Sequence, residues 1–187
     1  MLGARREERR EERRHEREVF GRGGTATQYQ MRQNLISIGD DYWITNERGE
    51  RKFKVDGKVL RVRDTFNIKD AQGRVVAQIQ ERLLRVKESM AIEGPNGEKL
   101  AEVKKAIIAP LRDRWVVRVG DGPDLNVQGN ILDHEYTIGE GRHKIAEVSK
   151  RWFRIADTYG VEVAPGQNDG LILAITVAID AMAHEGK

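Results

Sequence analysis

The chain has 187 residues and no cysteine, which excludes disulfides, thiolate nucleophiles and cysteine-based metal sites together and suits a reducing cytoplasm. Charged residues make up 34% of it, and the formal charge of +3 is unevenly divided. Residues 1–30 hold eight Arg and six Glu, leaving 25 basic and 24 acidic residues for the body, too even a balance for a nucleic-acid-binding surface.

The first segment, Arg5 to Glu18, cycles Arg-Arg-Glu-Glu with a period of four. On a helix that period stacks like charges at i,i+4, Arg5 over Arg9 and Glu7 over Glu11, and gives no apolar stripe to dock on a core. Residues 1–30 are expected to be a disordered or loosely helical extension ended by Gly21, Gly23 and Gly24, with the folded unit spanning 31–187. The segment has no apolar run of the kind a secretory signal carries.

From Tyr42 the sequence resembles itself at an offset of 24 residues. Tyr42, Phe66 and Met90 form one series; Ile44, Ile68 and Ile92 a second; Gly49, Gly73 and Gly97 a third; Val55, Ile79 and Val103 a fourth. A shorter copy follows at Tyr136, Ile138, Gly141, Ala146 and Val148. Inside each copy apolar and polar residues alternate, the mark of a strand with one buried face. Asn46-Glu-Arg-Gly49 and Asp70-Ala-Gln-Gly73 are type I turn sequences, and Gly94-Pro-Asn-Gly97 contains the hairpin pair Asn-Gly. Each copy thus holds two strands and two turns, and the spacing predicts about ten to twelve strands between Leu35 and Ala164. An antiparallel sheet of that length curls and loses its edges by closing.

The chain ends in Leu171–Ala183, apolar on every face except Asp180. As a helix it spans about 20 Å, short of the ~30 Å hydrocarbon core of a bilayer, so no transmembrane span is expected. Asn168 or Asp169 would cap it, placing the helix at about 169–184. A barrel of a dozen strands is too wide to fill with its own side chains, and the inward Ala77, Ala101 and Ala146 leave room for this helix on the axis. A final strand pair and a surface or membrane-inserted helix are the competing readings.

Residues 31–182 resemble the LURP-one-related family, within the Tubby C-terminal-like fold that also includes phospholipid scramblases. The resemblance is carried by Val55-Asp56-Gly57-Lys58, Asp64-Thr65-Phe66, Asn126-Val-Gln-Gly-Asn130, Tyr136, Ala146-Glu-Val-Ser-Lys-Arg-Trp152, Asp157-Thr-Tyr-Gly160 and the closing helix. It implies a mainly β fold, a closed antiparallel barrel of twelve strands wrapped around a hydrophobic C-terminal α-helix. These motifs mark a fold and not a reaction.

No arrangement of side chains specifies catalysis, and the protein is expected not to be an enzyme. His15, His134, His143 and His184 are read as surface or hairpin residues, with no metal and no cofactor assigned. Asp64, Asp113 and Asp157 each stand two residues before an aromatic and read as turn residues. What remains is a set of basic strand positions: Arg61 and Arg63 around inward Val62, Arg85 and Lys87 around inward Val86, and Lys104 with Lys105. These six are the candidate lipid- or phosphate-binding residues. The expected function is a monomeric binding or scaffold domain, cytoplasmic and peripheral at the membrane, meeting anionic phospholipid head groups or an acidic protein partner. Scramblase-like lipid transport and a protein-interaction module built on the Arg/Glu segment are the alternatives.

Overall fold

The structure, a computed structural model, describes residues 2–32, 41–60, 63–84, 87–109, 112–153 and 155–184. After helix α1 (Leu2–Val19), the chain runs through β1 (Thr27–Arg32), β2 (Tyr42–Asn46), β3 (Arg51–Leu60), β4 (Arg63–Asp70), β5 (Val75–Leu84) and β6 (Lys87–Glu93). It continues through β7 (Lys99–Ala109), β8 (Arg112–Val119), β9 (Leu125–Asn130), β10 (Glu135–Glu140), β11 (His143–Ser149) and β12 (Thr158–Val163), and ends in α2 (Asp169–His184). Each strand pairs antiparallel with its neighbours in the chain, and β1 pairs with β12 to close the barrel.

The 24-residue repeat is the period of this barrel wall. Tyr42, Ile44, Phe66, Ile68, Met90 and Ile92 all point inward and are buried. Hairpin turns are locked by their first residue: Asn46 Oδ1 accepts from the backbone N–H of Arg48 (3.1 Å) and Glu50 (2.9 Å), and Asp70 Oδ1 from Gln72 and Arg74, both at 2.9 Å.

Helix α2 fills the axis. Leu173, Ala174, Ile175, Val177, Ala178, Ile179 and Ala181 are all at 0% exposure, as are Ala77, Ala101 and Ala146 on the wall. Asn168 caps the helix, its Oδ1 accepting from Leu171 N–H at 3.1 Å, while Asp169 accepts the Tyr29 hydroxyl at 2.5 Å. None of the described helices is long and apolar enough to cross a membrane.

Two details of the N-terminal region differ from the sequence reading. The barrel starts at Thr27, ahead of the boundary at 31, because Tyr29 and Met31 alternate inward and Thr27–Arg32 pairs with Thr158–Val163. The charged segment also docks, at one end. Val19 and Phe20 are buried, Gly21 N–H donates to Glu162 Oε2 at 3.0 Å, and Glu16 meets Lys144 Nζ at 2.6 Å. Two apolar residues at the tip of an eighteen-residue helix make an anchor without making a stripe.

Candidate functional site

The hairpins give the barrel two unlike ends. At one end lie the short connections 47–50, 71–74, 94–98, 120–124 and 141–142, which carry three basic and five acidic residues. Helix α2 enters there, with Gly170 beside Phe53 and Val76. At the other end, among the described residues, three hairpins extend beyond the strands that flank them. β2 covers β3 only as far as the Tyr42–Val55 pair, and β3 then continues from Asp56 to Leu60, about 16 Å of further strand. β3 and β4 pair out to Leu60–Arg63, β5 and β6 to Leu84–Lys87, and β7 and β8 to Ala109–Arg112. The described strand residues of this raised wall, 58–60, 63–65, 81–84, 87–88, 104–109 and 112–114, hold eight basic and four acidic residues.

Of the six basic candidates, Arg63 and Lys87 open β4 and β6 on this wall. Arg61 and Arg85 lie outside the described residues, as do Val62 and Val86. Lys104 and Lys105 are neighbours on β7 and so face opposite sides of the sheet. Lys104 is outward, 3.4 Å from the buried Glu102, whereas Lys105 turns to the inner side with its Nζ 5.8 Å from the Trp115 ring. Burial works against ionisation of Glu102, but Lys99 and Lys104 outweigh it and hold its carboxyl below the usual range. The wall therefore gathers the four described candidates at one end but does not line them up on one outer face.

The same end displays apolar side chains. Leu132, in the β9–β10 connection, is 53% exposed and Ile155, in the β11–β12 connection, 60%; these are the exposed large hydrophobics among the described residues. Neither drew attention in the sequence.

Inside the mouth sits a polar cluster that the sequence reading missed. The Asn130–His134 turn is fastened by Asn130 Nδ2 to Asp133 Oδ2 (2.6 Å) and by His134 N–H to Ile131 O (3.1 Å), and holds His134 at φ +52°. That conformation, uncommon for a residue with a Cβ, turns the imidazole inward, where it stacks on Tyr159 with ring centroids 4.3 Å apart. Its Nε2 donates to Asp180 Oδ1 at 2.6 Å. His184, one turn after Asp180 on α2, places its Nδ1 3.2 Å from the same oxygen and donates to the Asp180 carbonyl at 2.9 Å. Burial pushes the Asp180 carboxyl up, yet the hydrogen bonds from His134 and His184 prevail and keep it below its ordinary range. Burial and then the Asp180 charge push the Tyr42, Tyr136 and Tyr159 hydroxyls well above theirs. His134 is thus a hairpin residue, as expected, but a buried one and not a surface one. The usable signal was Asp180, the lone charge in the apolar run Leu171–Ala183, four residues ahead of His184. One carboxylate and two imidazoles form a sulfur-free donor set able to hold a cation.

Comparison with known proteins supports the architecture. A model of the LURP-one-related family matches residues 27–180, from the first residue of β1 into α2. The X-ray structure of a protein from Arabidopsis thaliana is similar with a TM-score of 0.63 and 18% identity, covering 84% of this chain and 91% of that one. At that identity the likeness shows the fold alone. No curated protein matches the sequence.

Proposed function

This chain belongs to the LURP-one-related family, and from that premise we propose that it is a non-enzymatic binding domain that docks its raised barrel end on membranes rich in anionic phospholipid. The observation that carries this reading is a coincidence at one end of the molecule. The basic wall on β3–β8 and the two exposed apolar residues, Leu132 and Ile155 in the β9–β10 and β11–β12 connections, share this end of the barrel, while the opposite connections are net acidic. Basic residues near a charged bilayer contribute on the order of 1 kcal/mol each, and a large aliphatic side chain leaving water adds about 1.5–3 kcal/mol. A net excess of four charges with two such anchors supports reversible, peripheral attachment.

The fold analogy with the Tubby C-terminal-like barrel favours head-group recognition, as an analogy. Scramblase-like transport through the terminal helix is disfavoured, because α2 would have to leave the core it fills. Sedimentation with vesicles of phosphatidylserine in phosphatidylcholine, against phosphatidylcholine alone, tests the proposal. Retention on the anionic vesicles at low salt, falling as salt rises, is expected. Absence of retention at low salt overturns it, and retention insensitive to head group assigns the contact to the apolar residues alone.

A further inference from the structure

We propose that His134, Asp180 and His184 form a binding site for a divalent transition metal of the zinc class at the mouth of the barrel. Two elements of different origin converge on it. Asp180 and His184 share a face of α2 by their i,i+4 spacing, and the β9–β10 turn delivers His134 across the barrel. One donor atom from each residue lies within 4.8 Å of the others, with both imidazole nitrogens within 3.2 Å of Asp180 Oδ1. Ligands about 2.0–2.1 Å from a zinc ion stand roughly 3 to 3.5 Å apart, so small rotations of existing side chains open the space.

A second observation points to a ligand. Asp180 Oδ2 and the hydroxyls of Tyr42 and Tyr159 are buried without a hydrogen-bond partner. Unmet polar groups cost about 1–3 kcal/mol each, and three gathered at one carboxylate are many for a closed core. A metal ion with its bound water would engage Asp180 through its second oxygen and offer the tyrosine hydroxyls a polar neighbour. The stacking of His134 on Tyr159, with ring centroids 4.3 Å apart, holds that imidazole in place.

The donor types set the class. Two imidazoles and one carboxylate, with no thiolate, suit zinc, cobalt or nickel better than calcium or magnesium, which take all-oxygen shells. Entry is available through His184, whose side chain is 16% exposed against 3% and 1% for His134 and Asp180. A bound ion would staple the end of the central helix to the wall, a role separate from the lipid contact outside.

The test is metal titration of the chelator-stripped full chain, with Zn(II) followed by calorimetry and Co(II) by visible absorption. One equivalent, a d–d band of low-symmetry cobalt and a rise in melting temperature are expected. His184→Ala removes a ligand at the partly exposed last turn of α2, and folding of this variant is checked by circular dichroism. It should bind at least about tenfold more weakly, with the cobalt band lost. His143→Ala, at an exposed position on β11, should bind as the parent does. Failure of the parent chain to take up Zn(II), stoichiometric uptake by folded His184→Ala, or loss of binding in His143→Ala overturns the proposal and leaves a metal-free His–Asp pair.

Discussion

Gly160 shows how one residue ties the β11–β12 connection to the wall. A Cβ at this position of β12 would lie 2.4 Å from Trp152 Cε3 and 2.9 Å from Phe153 Cε2, so the two aromatics close over the strand only because nothing projects there. Gly160→Ala should displace the Trp152 indole and destabilise by about 1–3 kcal/mol, read as a lower melting temperature with a red-shifted tryptophan emission. An unchanged melting temperature would mean that the rings pack loosely. Two residues along, Glu162 is 5% exposed and accepts from Gly21 N–H and, at 3.4 Å, from Gln28 Nε2. Burial pushes its carboxyl above the ordinary value, the Gly21 hydrogen bond opposing and Glu147 assisting. A raised folded pKa means that the ionised form costs stability. That cost is absent below the unfolded pKa and appears as pH rises through the folded one. The melting temperature of Glu162→Gln relative to the parent should therefore be higher at about pH 7 than at about pH 4. A difference that does not change with pH would assign Glu162 a solvated environment.

At the scale of elements, α2 is the core that the strands enclose. Ile175→Asp places an unpaired charge at 0% exposure, with a cost of several kcal/mol, and the chain should lose its cooperative thermal transition. A soluble variant that melts like the parent would move the helix outside the barrel. This helix and the barrel were legible in the sequence for a physical reason. Each feature is a repeated or continuous pattern: a thirteen-residue run from Leu171 to Ala183 that is apolar except at Thr176 and Asp180, and alternation that recurs every 24 residues. The docking of α1 was not legible, because it rests on Val19 and Phe20 and on a backbone N–H reaching Glu162, far away in sequence. His134 was hidden for a related reason. Its inward direction comes from a left-handed backbone conformation in a turn, and side-chain alternation says nothing about turns. The basic candidates fell between these cases: repeat offsets grouped Arg63 with Lys87, but neighbours such as Lys104 and Lys105 divide between the two faces of β7.

At the scale of the whole molecule, the polarity of the barrel separates a directed contact from mere attraction of a basic protein. Arg63, Lys87 and Arg112 each open a strand of the raised wall, whereas Arg48, Arg74 and Arg142 belong to the opposite connections. Replacing either set by Ala removes the same charge. If docking is directed, the first triple substitution should abolish retention on anionic vesicles at moderate salt and the second should leave it close to the parent's, because fields decay within a Debye length of about 8–10 Å and the far end stays outside that range. Equal losses from both sets would reduce the effect to net charge. The apolar anchors supply an independent arm: Leu132→Ser with Ile155→Ser leaves every charge in place but removes the two side chains that would enter the interface. Retention by that double variant should fall by a factor that salt does not restore, since loss of apolar burial is not screened. Retention equal to the parent's would confine the contact to charge and place Leu132 and Ile155 away from the bilayer.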